Sequence, residues 1–358
     1  MYTPFVSIRA VDVSRIQRRK QDTMSQSPLA EQMLDDFWRM LTADRSKLEA
    51  FADDPGFRQA FVSAHEALGD SLAVVLRRHA FLLLQPDCLT KRMAGRCLTF
   101  VEQHGFRPVH AARVHLGPAV VDSLWFYQSE SATPDSNTIS KLVCGRSDSL
   151  LVVLRDEAPE PEVPASLRLT RLKGPAWPER RTAGQLRTVI EAQGPLVVLV
   201  HTSDEPLDMI REAAVICGPA TGDLYAALTG PIPDDARAWL IAHIEALYGE
   251  TDAHDLDPAA AMARLGDALT AASHDARHAS AAQRLLSTLA VIRAGDALLD
   301  WQPFADDLHR IGIDPAGWDS VLVGSRYIQL DLADVPRRFA VVHPDPAAQT
   351  PVGPGGAP

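Results

Sequence analysis

Pro195-Leu-Val-Val-Leu-Val-His201-Thr-Ser-Asp-Glu-Pro206-Leu-Asp-Met-Ile-Arg-Glu212, running on to Gly218, is the stretch around which the rest of the chain arranges itself. Leu196 to Val200 are all apolar and mostly β-branched, which reads as a strand buried on both faces. Thr202-Ser203-Asp204 reads as a turn and helix cap. Pro206 suits a first helical turn, and Gly218-Pro219 stops the helix. His201 then stands at the exit of a core strand, facing a helix N-terminus that favours an anion. That geometry suits a nucleophile that takes a phosphoryl group. A histidine that only caps or packs is the plainer reading of the same residues.

The chain has 358 residues, 46% hydrophobic and 23% charged, enough for two or three domains with a sizeable core. No apolar run approaches the ~20 residues of a membrane span. Met1 to Lys20 has no apolar segment behind its basic residues, so no secretory signal is expected. Cys88, Cys97, Cys144 and Cys217 lack metal-ligand spacing and read as reduced core residues of a cytoplasmic protein. A net charge of -11 argues against nucleic acid as a partner. Within that acidic balance, Arg168, Arg171, Lys173, Arg180, Arg181 and Arg187 face a single acid, Glu179, between Ser166 and Ile190. Such a local patch attracts a small anion, or is simply a solvated helix face.

Outward from the opening stretch, residues 29–77 read as helices, with a break at Asp53-Asp54-Pro55. Ala80 to Leu84 reads as a strand and the residues up to about His104 as a helix. Phe106 to Leu116 is strand-like, Pro118 to Tyr127 a short helix, and Ser129 to Asn137 a polar loop. Leu150 to Leu154 is a further strand, Ala165 to Leu172 and Ala183 to Ile190 are helical, and Gly174 to Thr182 is an irregular loop. This alternation predicts an α+β sheet with helices packed on one face.

Four segments carry a family resemblance. Phe81-Leu-Leu-Leu-Gln-Pro-Asp-Cys-Leu89 resembles a first strand with a Lys-Pro-Asp-Gly-Val motif. Val101-Glu-Gln-His-Gly-Phe-Arg-Pro-Val109 resembles a helix end with a Gly-Phe turn. Gly174-Pro-Ala-Trp-Pro-Glu-Arg-Arg-Thr-Ala-Gly-Gln-Leu-Arg187 resembles a Gly-x-Thr-Asn-Pro…Pro-Gly-Thr-Ile-Arg loop, and His201 to Glu212 a His-Gly-Ser-Asp segment with its helix. In order and separation they are similar to the nucleoside diphosphate kinase family, over about residues 79–217.

The resemblance implies a ferredoxin-like antiparallel sheet with helices on one face, and transfer of a γ-phosphoryl group through a phosphohistidine. It implies His201 as nucleophile, Glu212 as the carboxylate orienting the ring, and Ser203 as the serine near it. Arg187 matches an arginine on the transferring phosphates, and Asp204 retains an acid that can cap the helix. It also implies Mg²⁺ carried with ATP or another nucleoside triphosphate.

The departures are as specific. Gln85 replaces the lysine of the first motif; Lys91 and Arg92 lie close enough in sequence to compensate. Trp125 falls at or near a tyrosine position, Ala176 and Trp177 replace a threonine and an asparagine, and Val198 replaces a ribose-contacting asparagine. Arg171, or Arg168, stands in for a second phosphate arginine. Trp177 is expected to pack rather than to stack on a base. Two functions therefore stand side by side. One is a phosphotransferase acting on a nucleoside diphosphate or another acceptor. The other is a catalytically silent module that binds a nucleotide or docks a partner.

The expected organisation is a mobile basic arm (1–28), a helical region (29–77), the kinase-like domain (78–218), a mainly helical accessory domain (219–335) and a disordered Pro/Gly-rich tail (336–358). In the accessory part, helices are expected from Pro233-Asp234-Asp235 to Tyr248, from Asp257-Pro258 to about Ser273, from Asp275 to Ala294 and from Gln302 to His309. Ser320 to Leu332 alternates and reads as extended. His274 and His278 have a spacing that places two imidazoles on one metal, but surface histidines account for them, and no metal ligand is assigned. A homo-oligomer or a protein partner would use the helical flanks.

Overall fold

The computed structural model describes residues 28–232, 234–336 and 338–339, with side chains from residue 35 onward. The expected arm up to residue 27 and the expected tail from residue 340 lie outside the described residues.

In chain order the elements are α1 (Pro28–Leu41), α2 (Arg45–Asp53), α3 (Pro55–Leu68), α4 (Leu72–Arg77), β1 (His79–Leu84), α5 (Pro86–Thr90), α6 (Ala94–Gln103), β2 (Phe106–Val114), α7 (Pro118–Leu124) and α8 (Phe126–Ser129). They continue as α9 (Pro134–Cys144), β3 (Ser149–Asp156), α10 (Ala165–Lys173), α11 (Leu186–Val189), β4 (Val200–His201), α12 (Pro206–Cys217) and α13 (Thr221–Thr229). The last five are α14 (Ala236–Glu250), α15 (Pro258–Ala272), α16 (Ala279–Ala294), α17 (Trp301–Arg310) and α18 (Trp318–Tyr327).

Among the described residues the sheet has four strands in the order β2-β3-β1-β4, and every pairing is antiparallel. Helices cover both of its faces, not one as the sequence suggested. β1 is buried along its whole length, so its alternating side chains need an apolar partner on either side. Leu82 and Leu84 join a core shared with α6, α10 and the C-terminal helices. Phe81 and Leu83 join a second core shared with α2, α3, α4 and α12. The boundaries expected at 77/78 and 218/219 are therefore bridged by continuous apolar packing. Phe339, in the expected tail, packs against Phe51 and Tyr127, with ring centroids 6.0 and 5.1 Å away.

Three local readings need correction. The apolar run before His201 is not a five-residue strand; only Val200 and His201 pair with β1. Residues of the expected polar loop start α9, where Thr133 caps the helix through a bond from Ser136 N–H and Pro134 occupies its first turn. Much of the segment expected to be extended, Ser320–Leu332, is α18. Ser320 to Gly324 are all buried, so no exposed face marks the helical period.

Gly324 lets α18 close on the core: a Cβ there would lie 2.6 Å from the Trp301 ring and 2.7 Å from Ile139 Cδ1. Gly324→Ala is expected to cost about 1–3 kcal/mol by overpacking, read as a lower denaturation midpoint with an unchanged slope.

The N-terminal helices are locked to α12 by one buried cation. Lys47 Nζ lies 2.8 Å from Glu205 Oε2 and 2.9 Å from Asp208 Oδ2. Thr42 Oγ1 donates to Glu205 Oε2 (2.7 Å). Glu205, not Asp204, caps α12, in a reciprocal box with Asp208. Burial alone would lower Lys47, but the Asp208 and Glu205 carboxylates hold its ammonium above the ordinary lysine value. Burial pushes the Asp208 carboxyl up to about 7, against the pull of Lys47.

Candidate active site

His201 is held from both sides in sequence. Before it, Leu199 adopts φ +65° and Val200 N–H bonds back to Val198 O at 2.8 Å, a strained γ-turn. The turn is clamped by the loop after β1. Gln85 N–H donates to Leu199 O (3.1 Å), and Leu199 N–H donates to Asp87 Oδ2 (2.8 Å). Asp87 is fully buried, and burial pushes its carboxyl up to about 6 although Leu199 and Cys88 N–H stabilise the anion. This clamp is why a β-branched run leaves the ladder.

After His201, the turn is pinned by a polar cluster. Lys173 Nζ donates to Thr202 Oγ1 (2.7 Å) and lies 3.6 Å from Asp204 Oδ1. Thr170 Oγ1 donates to Asp204 Oδ1 (3.1 Å). Burial pulls Lys173 down to about 8, opposed by Asp204.

His201 pairs with Leu83, which puts it on the sheet face where α12 packs. Glu212, two turns into α12, meets the ring: His201 Nε2 lies 3.0 Å from Glu212 Oε2, and Ser203 Oγ donates to the same oxygen at 2.6 Å. Burial would raise the Glu212 carboxyl, but His201 and Ser203 together hold it below its ordinary value. With Nε2–H given to the carboxylate, the Nδ1 lone pair remains for chemistry. The imidazole is 18% exposed, and the Trp125 ring meets it edge-on at 5.6 Å.

His201 lines a cleft of about 230 Å³. Gln85, Trp125 and Arg187 line it too, as do Cys144, Trp177 and Val198. Gln85 is buried with Oε1 unpartnered. Arg187 is committed to backbone: its two terminal nitrogens donate to Gly174 O and Val200 O, both at 2.9 Å, and Nε is left unmatched. Burial, then the nearby Arg181, lower Arg187 to about 10.

The other expected cations are not brought to the cleft. Lys91 bonds to Glu191 O at 2.8 Å. Arg92 lies over the Tyr248 ring at 4.6 Å. Arg168 bonds Asp156 at 3.1 Å, and Arg171 is exposed outside the lining. Much of the basic patch braces its own loop: Arg181 donates to the carbonyls of Pro175, Ala176 and Ala192.

Sequence reasoning missed the outer wall of the cleft. α9 and the turn before it supply Ser131, Ser136, Asn137, Ser140 and Lys141, the last paired with Asp122 at 2.7 Å. Leu330 and Asp331 come from the far end of the chain. The Thr-Pro start of α9 was the available signal for the first group; nothing local marked the second. Among the described residues, no group of three or more His, Cys, Asp or Glu side chains is gathered as metal ligands. No helix among them is long and apolar enough to cross a membrane.

No protein-family model matches the chain, and none of the curated proteins does. Among solved structures, the chain is similar to the nucleoside diphosphate kinase of Aquifex aeolicus at 19% identity, over 38% of this chain and 93% of that one, with a TM-score of 0.33. The enzyme of Encephalitozoon cuniculi aligns at 14% identity over 46% and 99%, with a TM-score of 0.35. That of Halobacterium salinarum, in complex with CDP, aligns at 15% identity over 45% and 97%, with a TM-score of 0.31.

Proposed function

We propose that this chain is a nucleotide-dependent phosphotransferase of the nucleoside diphosphate kinase type, built on a ferredoxin-like sheet, with His201 as its covalent intermediate. The observation that carries the reading is the Ser203–Glu212–His201 relay, which spends Nε2 and leaves Nδ1 at a cleft. Nδ1 attacks the γ-phosphorus, the bond to the β,γ-bridging oxygen breaks, and the nucleoside diphosphate leaves with that electron pair. Glu212 offsets the positive charge that develops on the ring, and Ser203 holds the carboxylate in place. The phosphoryl group then passes from Nδ1 to a nucleoside diphosphate or another acceptor.

Arg187 Nε and the Gln85 amide are the groups available to the phosphates. Gln85 Oε1, buried and without a donor, suits an ion held mainly by phosphates and water rather than by a protein cage. Magnesium bound with the nucleotide would supply charge neutralisation on the phosphate oxygens.

A second reading, a catalytically silent nucleotide-binding or partner-docking module, is favoured by one observation. Arg187 is the single expected cation in the cleft, and each of its terminal nitrogens already donates to a backbone carbonyl.

Incubation with γ-labelled ATP and Mg²⁺ separates the two. The phosphotransferase gives acid-labile, base-stable label that is lost in His201→Ala. Nucleotide binding without label, or label that survives in His201→Ala, rejects it. Gln85→Lys adds the missing charge and is expected to raise the labelling rate about 10- to 100-fold, the scale of one electrostatic contact in such a site.

A further inference from the structure

One wall of the cleft comes from a segment of the C-terminal region. After α18 the chain turns from the buried Ile328 into residues 329–332 and crosses to the turn before α9. Thr133 N–H donates to Leu330 O at 3.0 Å, and Leu332 N–H donates to Ser131 O at 2.7 Å. Thr133 Oγ1 donates to Gln329 O at 2.6 Å. These bonds form an isolated antiparallel bridge between Ala132 and Asp331. Leu330 and Asp331 thereby become part of the lining.

The cleft's volume of about 230 Å³ falls below the ~300–1,000 Å³ usual for sites that hold a drug-sized ligand. Among the described residues the strap pairs with no strand of the sheet; Thr133 and Ser131 hold it through the hydrogen bonds above, and Leu330 packs against the core beneath it. Its base is tied to the C-terminal helices, where Leu299 N–H donates to Tyr327 O at 2.9 Å. We propose that residues 329–332 form a releasable strap, and that a nucleoside triphosphate reaches His201 only when the strap leaves Ser131–Thr133. The inference rests on the phosphotransferase reading. It makes the C-terminal region a gate on the site: whatever shifts α18 changes the rate of entry.

The bridge geometry supplies the test. Ala132 and Asp331 form a non-hydrogen-bonded antiparallel pair, whose Cα atoms stand about 4.5 Å apart, within the range a disulfide spans. Ala132→Cys/Asp331→Cys is compared with itself, oxidised and reduced, using γ-labelled ATP with Mg²⁺ and, separately, labelled phosphoramidate. Phosphoramidate gives its phosphoryl group to Nδ1 with cleavage of P–N and release of ammonia, and is small enough to pass the closed strap.

The expected result is at least a 10-fold loss of labelling by ATP on oxidation, recovered on reduction, with phosphoramidate labelling unchanged. The single variant Ala132→Cys shows no redox response. Equal labelling by ATP in both states overturns the strap and leaves the phosphotransferase standing. Loss of labelling by both donors on oxidation also overturns it, because the lock has then damaged His201 itself. Labelling by phosphoramidate alone in the reduced protein defeats the nucleotide reading, and the gate falls with it.

Discussion

Lys47→Ala is expected to destabilise the fold by about 3–5 kcal/mol, the usual consequence of removing one partner from a buried ion pair. That is a large share of the ~5–15 kcal/mol that holds a typical domain together. The substitution leaves Glu205 and Asp208 facing each other with only Thr42 and backbone donors for company. Equilibrium denaturation of wild type and variant from pH 5 to pH 8 measures it. The penalty should be greatest at pH 8 and shrink toward pH 5, as the carboxyls take up protons in place of the lost ammonium.

The same cluster gives wild type a pH dependence of its own. The folded Asp208 pKa of about 7 lies above its unfolded value of 3.8. The native state therefore binds more protons between those limits, and this group's contribution falls as pH rises from about 4 to about 7. Asp208→Asn should remove that slope. A Lys47→Ala protein as stable as wild type at pH 8 would show that the cation does not hold the two parts together.

Asp87→Ala is the second large effect, and it should appear in the site more than in the fold. It leaves the buried Leu199 N–H without an acceptor, at a cost of about 1–3 kcal/mol. It also frees the γ-turn, whose strain of roughly 1–3 kcal/mol the clamp has been holding. Relaxation of Leu199 moves His201, two residues on, away from Glu212. Labelling of His201 is expected to fall by about 100-fold, as befits a small misplacement of a reacting group. Asp87→Asn keeps an acceptor and should lose much less. It should also abolish the decline in stability that Asp87 contributes between about pH 4 and pH 6, because its folded pKa of about 6 exceeds the unfolded 3.8. Near-wild-type labelling in Asp87→Ala would show that the turn is fixed by its own sequence.

That clamp also shows where sequence stops being informative. His201, Ser203 and Glu212 were legible because one continuous segment, His201 to Glu212, carries the family resemblance for all three. Gln85 and Arg187 could be placed in the same cleft only through the order of the four segments. The end of the apolar run was not legible, since Leu196 to Val200 have every local preference of a strand. What pulls Leu199 out of the sheet is a carboxylate 112 positions earlier. Lys91 and Arg92 offer charge near Gln85 in sequence, and Arg171 stands near the place of a second phosphate arginine, but a carbonyl and a ring elsewhere claim the first two and the third faces solvent. The helix α18 was misread because a segment buried almost all round loses the contrast on which periodicity depends. The strap at Leu330 and Asp331 had no local signature at all.

The lock between Lys47 and α12 also bears on how the chain is made. Thr42 and Glu205 are 163 positions apart, Lys47 and Asp208 161. Once α2 is made, its buried ammonium waits 161 positions for Asp208, although Phe57 and Phe61 already find Phe51, Phe37 and Trp38 among the neighbouring helices. At roughly 5–20 residues per second, that is an interval of about 8–32 seconds in which the Lys47 ammonium lacks its carboxylates. Folding of this protein should be governed by late closure of distant contacts, and chaperone demand should fall most heavily on the helices α1 to α3.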